Sequence, residues 1–195
     1  MTEQHPSVEA TPARATGLAL AAGGAIGLAA AFVLTVERFR LLEDPEHRLS
    51  CDLSPILSCG SVMVTEQARV FGFPNPLLGI GAFAVVLTLG VLLAGGVHLP
   101  RWVLAGFATG ACLGLVFVAW LSFQSIYRIG ALCPWCMVVW TVTIPIAVWT
   151  VALAARPHPV GRVLWDYRYL VVVTLYLAVV VQALVKFWDY WRTLA

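Results

Sequence analysis

Four of the five cysteines in this chain of 195 residues occur as two closely spaced pairs. Cys133 and Cys136 enclose Pro134 and Trp135, and an apolar segment follows them. Proline is favoured in the first turn of a helix, where its missing N–H would have no partner. Both sulfurs would then lie near a helix N-terminus, where unpaired N–H groups and the helix dipole favour thiolate. Because such a thiolate is a good leaving group, this spacing is typical of reversible disulfide exchange.

The second pair, Cys51 and Cys59, lies in a long polar connection over residues 40–75. The seven residues between the two cysteines form a short ring that a disulfide can close and reopen easily. A connection of this length is unusual unless it is a functional lid. The alternative is a static disulfide that ties down an exposed loop. If both pairs lie on one membrane face, exchange through a mixed disulfide becomes the favoured interpretation.

Two other functions are compatible with parts of this pattern. Four thiols on one face could bind a soft cation such as Zn²⁺, Cu(I) or Hg²⁺, so a membrane metal-binding or transport protein is the first alternative. The seven-residue spacing is wide for structural zinc, and no polar path of ligands continues through the apolar segments. A non-catalytic membrane scaffold is the second alternative, and it leaves the four cysteines without a reason.

The composition predicts an all-α integral membrane protein. Hydrophobic residues make up 61% of the chain and charged residues only 11%, against about 25% charged residues in an average soluble domain. Five apolar runs are long enough to cross a hydrocarbon core of about 30 Å. The fifth run is short and depends on flanking aromatic residues and on Lys186. The predicted helices cover residues 18–38, 77–97, 102–127, 132–155 and 169–188.

Several function classes are disfavoured by the same composition. A net charge of +2, scattered along the chain, gives no indication of nucleic-acid binding. The five apolar runs that predict the spans contain no carboxylate, although ion pumps normally require ionisable residues there. Residues 1–16 are polar with two prolines, which predicts a disordered cytoplasmic tail before a retained first helix. We interpret Cys112, deep in the third helix, as a buried packing residue.

Counting helices predicts where the cysteines lie. The first helix ends near Arg38 and the fourth begins near Leu132, and three reversals of the chain separate these points. The two cysteine pairs therefore share one membrane face. The distribution of arginine does not decide which face this is. Because thiols that cycle through disulfides belong in an oxidising compartment, we predict an extracytoplasmic site with the N-terminus in the cytoplasm and the C-terminus outside.

In the order of these features the sequence resembles the bacterial form of the vitamin K epoxide reductase family. The resemblance runs from the first helix through the fourth and rests on three motifs. The loop pair comes first, FGFPNPLLGI opens the second helix, and C-P-W-C opens the fourth. In the related DsbB proteins the Cys-x-x-Cys precedes the loop pair, so the order here favours the vitamin K epoxide reductase family.

The resemblance implies a bundle of four helices around a quinone, capped by the lid. It further implies that a reduced thioredoxin-like partner passes electrons to Cys51 and Cys59. Disulfide exchange from Cys59 to Cys133 would follow, and Cys136 would pass the electrons to the quinone. We assign the first contact with the partner to Cys51. Eleven arginines against one lysine suggest a GC-rich bacterium, so menaquinone is favoured and ubiquinone is possible.

The resemblance also implies a set of quinone-binding residues. Asn75 matches the position whose side chain hydrogen-bonds a quinone carbonyl, although an Asn before Pro76 is also a favourable helix cap. Leu78, in the same motif, is assigned to the quinone site. Trp140 stands where animal members carry a tyrosine at the second carbonyl. An indole donates but cannot accept a hydrogen bond, so packing at the interface is the alternative role for Trp140.

Together these inferences predict a multi-pass enzyme of the bacterial inner membrane, in contact with lipid. It would reoxidise a DsbA-like thioredoxin-fold protein and reduce a quinone, which supports disulfide formation outside the cytoplasm. Many bacterial relatives carry a fused thioredoxin-like domain after the fifth helix. This chain stops at Ala195, so we expect residues 17–195 to form a single domain and the partner to be a separate protein. Reduction of vitamin K epoxide is not expected.

Overall fold

The computed structural model describes residues 10–54 and 56–192, which form seven α-helices. Five of these helices are long and apolar enough to cross a membrane, so the predicted five-span all-α fold is confirmed. The helices are α1 (Ala10–Glu43), α2 (Cys59–Met63), α3 (Pro76–Ala94), α4 (Arg101–Phe123), α5 (Pro134–Ala155), α6 (Pro159–Lys186) and α7 (Trp188–Arg192). A 3₁₀ turn covers Glu66–Arg69, and a π-helical turn covers Gln124–Ile129.

Proline and glycine set several of the helix boundaries. Pro76, Pro134 and Pro159 occupy the first turns of α3, α5 and α6, where the absent N–H costs no hydrogen bond. Gly96 and Gly130 have φ values of 81° and 74°, a left-handed conformation that glycine adopts without a steric penalty. These glycines reverse the chain after α3 and after the π-helical turn.

The first helix starts earlier than the sequence predicts. It begins at Ala10, so residues 10–16, predicted as part of a disordered tail, are helical. Alanine is the strongest helix former, and Pro12 falls in the first turn, where it is tolerated. The remainder of the predicted tail, residues 1–9, lies outside the described residues.

The last spanning helix also starts earlier, at Pro159 instead of Tyr169. Its first turns contain Arg162, Asp166 and Arg168, so they lie outside the uncharged run that predicts the span. The guanidinium groups of Arg156 and Arg168 lie over the Trp165 ring, 4.6 and 4.4 Å from its centroid. Cation–π contacts of this kind stabilise charged residues at the end of a span, so the helix continues through them.

The long helices α1 and α3 pack against each other at backbone distance. A Cβ at Gly24 would lie 2.6 Å from the Leu87 nitrogen, and a Cβ at Gly90 would lie 2.5 Å from the Ala21 nitrogen. Glycines allow this approach because two helices in lipid associate mainly through close packing. The pair forms one wall of the bundle.

The other wall is formed by α4 and α5, with α5 also packed against α1 and α6. The helix α6 contacts chiefly α5 and is only 6% buried over its most apolar stretch, so it lies outside the bundle. Although α3 and α4 are joined by a short loop, their backbones do not pack against each other. The four-helix bundle is open between them, where exposed side chains of both helices, Val85 and Val116, line the intervening space. Residues 44–75, which connect α1 to α3 over one end of the bundle, are called the lid below.

Adding a methyl group at Gly90 should destabilise the fold, because no side chain fits between α3 and the Ala21 backbone. We expect Gly90→Ala to cost about 1–3 kcal/mol of unfolding free energy. Gly81→Ala on the same helix is the matched control, because an added Cβ there meets no atom within 4 Å. Thermal unfolding in detergent, followed by circular dichroism, measures both. Equal melting temperatures for the two variants would contradict the packing described.

Candidate active site

Two backbone hydrogen bonds join the lid to the segment that precedes α5. The Ser58 N–H donates to the Leu132 carbonyl at 3.0 Å, and the Leu132 N–H donates to the Ile56 carbonyl at 2.7 Å. This short parallel bridge fixes the register between the two segments. Because Cys59 follows Ser58 and Cys133 follows Leu132, the bridge places these two cysteines side by side.

The sulfur atoms form a continuous series. Cys51 and Cys59 are joined by a disulfide, and the Cys133 sulfur lies 3.1 Å from the Cys59 sulfur. The Cys136 N–H donates to the Cys133 sulfur at 3.4 Å. Cys59 and Cys133 are fully buried, whereas Cys136 is half-buried. The prediction that both pairs share one face is confirmed, and the sulfurs of Cys59 and Cys133 lie within reach of thiol–disulfide exchange.

The surroundings of Cys133 favour its thiolate. The pKa of Cys133 is lowered chiefly by a hydrogen bond from the Cys136 side chain, with further help from the backbone N–H groups of Cys136 and Trp135. Burial and the negative charge of Asp52 oppose this lowering. Because a thiol of lowered pKa is a good leaving group in disulfide exchange, this balance favours release of Cys133 as a thiolate.

The short helix that begins at Cys59 is held by a carboxylate. One oxygen of Asp52 accepts from the Gly60 N–H at 3.0 Å and from the Ser58 hydroxyl at 2.8 Å. The Ser58 hydroxyl in turn accepts from the Ser61 N–H at 3.1 Å. These bonds satisfy N–H groups that a first helical turn otherwise leaves unpaired. They therefore fix the direction in which the Cys59 side chain leaves the lid.

The cysteine sulfurs are surrounded by apolar side chains from each element that packs at the site. These side chains come from α1, the lid and the first turns of α5, and they separate the exchange site from water. The buried members besides the cysteines are Leu34, Leu49 and Met63, and the half-buried members are Leu41, Val62, Trp135 and Val139.

A cavity of about 1090 Å³ lies inside the bundle, beneath the lid. Its wall includes Cys136 and all three residues that the sequence analysis assigned to a quinone, namely Asn75, Leu78 and Trp140. Ligand pockets in proteins usually measure about 300–1,000 Å³, so a molecule of substantial size would fit. The α3–α4 opening lies in the same wall, which gives a route into the cavity from the bilayer.

Polar groups are concentrated at the end of the cavity nearest the lid. Gln67, Asn75 and Gln124 line that end, together with Cys136. The opposite end, at the start of α4, is lined by apolar groups such as Trp102, Val103 and Gly106. The cavity is thus suited to a ligand with a polar head near Cys136 and an apolar tail.

The side chain of Asn75 does not cap α3, which corrects the capping role considered from the sequence. Its backbone is in the right-handed helical region, and its side chain turns back into the lid. The Asn75 side-chain oxygen accepts from the Val70 N–H at 3.1 Å, and its amide nitrogen donates to the Gln67 carbonyl at 2.7 Å. This arrangement prevails because the irregular lid backbone needs partners of its own. An amide carries two N–H groups, so donation to a ligand is still possible.

Trp140 belongs to two environments. It is 7% exposed and packs with Ile126, Leu132 and Phe187 in a buried cluster, and one part of it lines the cavity. The packing role considered from the sequence is therefore present. Contact between Trp140 and a quinone remains a prediction, as do the roles assigned to Asn75 and Leu78.

Sequence reasoning missed two polar residues near the site. Glu37 is buried on α1, directly after the uncharged run that ends at Val36. Its carboxylate accepts from the Ser50 hydroxyl and from the Arg40 guanidinium, both at 3.3 Å. It therefore ties α1 to the lid next to Cys51. Gln124 lines the cavity, and its only sequence signal is a lone amide at the end of an apolar run.

Cys112 is exposed on α4, which corrects the prediction that it is buried. Depth within a span does not determine which way a side chain faces, and only one side of α4 packs against the bundle. Within the described residues, no group of three or more His, Cys, Asp or Glu side chains is arranged to hold a metal ion.

Five spanning helices, a buried series of cysteine sulfurs and an apolar cavity beside it define a membrane-embedded redox enzyme. The family model of the vitamin K epoxide reductase family matches residues 18–151, which is more than half of the chain. The chain therefore belongs to the vitamin K epoxide reductase family. A comparison with curated proteins finds no match.

Removing the carboxylate that holds α2 should loosen the lid around Cys59. We expect Asp52→Ala to destabilise this region by about 1 kcal/mol, the usual cost of a lost helix cap. Asp52→Asn keeps an acceptor oxygen and should retain most of the protection. Hydrogen exchange of the lid amides over residues 52–63 measures the effect. Equal exchange in wild type and Asp52→Ala would show that this carboxylate does not hold the helix.

Proposed function

We propose that the protein transfers two electrons from a dithiol partner to a membrane quinone through its two cysteine pairs. The observation that supports this most directly is the 3.1 Å distance between the sulfurs of Cys59 and Cys133. Cys136 extends the series to the wall of the cavity. A disulfide with a purely structural role would have no need of a buried thiol at this distance.

The first step is reduction of the lid disulfide by the partner. A partner thiolate attacks Cys51, which forms a mixed disulfide and releases the Cys59 thiolate. The second partner thiol then attacks the partner sulfur of the mixed disulfide and releases Cys51. The partner leaves oxidised by two electrons. Cys51 is 4% exposed, so the partner requires a movement of the lid, and the exposed side chain of Leu53 beside it offers a first contact.

The second step is exchange within the protein, starting from an oxidised Cys133–Cys136 pair. The Cys59 thiolate attacks Cys133 and releases Cys136 as thiolate. Cys51 then attacks Cys59 and releases Cys133. The products are a Cys51–Cys59 disulfide and free thiols at Cys133 and Cys136, which is the state seen in the structure.

The third step returns the inner pair to a disulfide. Cys133 and Cys136 lose two electrons and two protons as their sulfurs bond, with Cys136 as the sulfur on the cavity wall. A bound quinone supplies the two-electron acceptor and takes up two protons to become the quinol. The apolar environment around the sulfurs keeps water and competing thiols away from this exchange.

The residues of the cavity fit a quinone. The polar end offers hydrogen-bonding side chains beside Cys136, and the apolar remainder suits an isoprenoid tail. The opening between α3 and α4 admits a lipid-soluble molecule from the side. Among the three predicted contacts, Asn75 would donate to one carbonyl, and Leu78 and Trp140 would form part of the wall around the quinone.

The finer assignments follow from the chemistry of the exchange. We assign the donor to a separate thioredoxin-fold protein of the DsbA type, because such proteins carry an exchangeable dithiol. Exchange of this kind requires an oxidising compartment, so the lid faces outward from a bacterial inner membrane and the N-terminus lies in the cytoplasm. The arginine-rich composition favours menaquinone as the acceptor, with ubiquinone as the alternative.

Quinone reduction by the purified protein, supplied with a reduced thioredoxin-like donor, tests the proposal. Cys136→Ala should lose more than about 1000-fold in turnover, as expected when an essential nucleophile is removed. Cys51→Ala should fail with the protein donor and retain activity with a small dithiol that reaches the inner pair. Cys112→Ala is the matched control and should behave as wild type, because this thiol is exposed on α4.

The metal-binding alternative predicts a different result. If wild type shows no quinone-dependent turnover and binds one soft cation through the four paired thiols, the redox proposal is wrong. Titration with Zn²⁺ or Cu(I), with thiol accessibility as the signal, distinguishes the two functions.

A further inference from the structure

The wall of the cavity changes its backbone geometry where α4 ends. After Phe123 the chain continues as a π-helical turn over Gln124–Ile129 and closes at Gly130. π-Helical turns are rare and are frequently found at functional sites, because the wider turn redirects side chains. Both Gln124 and Ser125 line the cavity from this turn.

Gln124 carries an unsatisfied polar atom in this wall. Its side-chain oxygen is buried and has no hydrogen-bond partner among residues 10–54 and 56–192. Buried polar groups normally find a partner, so an orphan acceptor at a cavity requires an explanation. Two neighbours in the wall differ from it, since the Ser125 hydroxyl donates to the Ala131 carbonyl and the Thr143 hydroxyl donates to the Val139 carbonyl at 2.7 Å.

The position of Gln124 matches the polar end of the cavity. The start of α3, the end of α4 and the start of α5 all lie on the lid side of the membrane, because successive spans run in opposite directions. Asn75, Gln124 and Cys136 stand at these three points and line the same cavity. A ring bound beside Cys136 would therefore lie at the end of the cavity where Asn75 and Gln124 supply amide groups from two different segments.

We infer that Gln124 hydrogen-bonds the quinone carbonyl that Asn75 does not reach. This inference rests on the proposed quinone reduction and adds a residue to that site. The Gln124 amide nitrogen would donate to the carbonyl oxygen of the quinone. A rotation of the side chain that brings its buried oxygen to the cavity would let this oxygen accept from the hydroxyl of the quinol. One neutral side chain thus serves both redox forms without changing its protonation. The indole of Trp140 can only donate, so it cannot take over the second of these roles.

Gln124→Leu tests this assignment, with Thr143→Val as the matched control. Both variants remove a polar group from the cavity wall, but the Thr143 hydroxyl is already bonded within its own helix. We expect Gln124→Leu to raise the KM for quinone about tenfold, the effect of one lost hydrogen bond. Thr143→Val should leave the KM unchanged.

Infrared difference spectra of bound menaquinone, labelled with ¹³C at one carbonyl at a time, separate direct contact from a structural effect. In Gln124→Leu one carbonyl band should move to higher frequency, and Thr143→Val should move neither band. Gln124→Met, closer in shape to glutamine, repeats the test if the leucine variant folds poorly. The melting temperature without quinone should not fall in Gln124→Leu or Gln124→Met, because each substitution removes a buried polar group that has no hydrogen-bond partner.

The inference and the proposed function fail in different ways. If wild type reduces quinone with the expected dependence on Cys136, while Gln124→Leu and Gln124→Met keep the wild-type KM and both carbonyl bands, Gln124 is not a quinone ligand. The electron relay then stands. If wild type neither reduces nor binds menaquinone, the proposed function fails and the role of Gln124 fails with it.

Discussion

The backbone bridge between the lid and the segment before α5 is the contact on which the site depends. It pairs Ser58 and Ile56 with Leu132, and the cysteines that follow are brought together although 74 residues separate them in the chain. A slip of one residue in this register would displace one sulfur by about 3.3 Å and turn its side chain to the other side. Packing of the spanning helices alone could not supply this precision, because Cys59 lies in the lid, outside the bundle.

Two environments meet at the bridge. On one side the disulfide is held in the lid by Asp52 and by the contact of Glu37 with Ser50. On the other side Cys136 borders an apolar cavity that opens toward lipid between α3 and α4. Burial of the sulfurs between them separates the proposed dithiol donor from the proposed quinone. In the proposed relay, electrons pass between them by disulfide exchange, and this separation is what would couple the two reactions.

Much of the fold follows from local sequence, and less of the site does. Apolar runs and the parity of helix ends predict five spans and a common face for the cysteines, because hydrophobicity acts over each segment independently. The early start of α6 was missed because stacking on Trp165 depends on tertiary contacts. The bonds of Asn75 within the lid and the unsatisfied oxygen of Gln124 also arise only in the folded chain. The roles of these residues toward a quinone remain predictions.

Trapping the mixed disulfide tests the proposed contact between the two pairs most directly. In a Cys51→Ala, Cys136→Ala double variant the sulfurs of Cys59 and Cys133 keep each other as neighbours, and Cys112 can be replaced by alanine to remove the last other thiol. Mild oxidation should join Cys59 to Cys133 within one chain, as detected by mass spectrometry of non-reduced peptides. Recovery of both cysteines as free thiols, or as disulfides between chains, would contradict the relay.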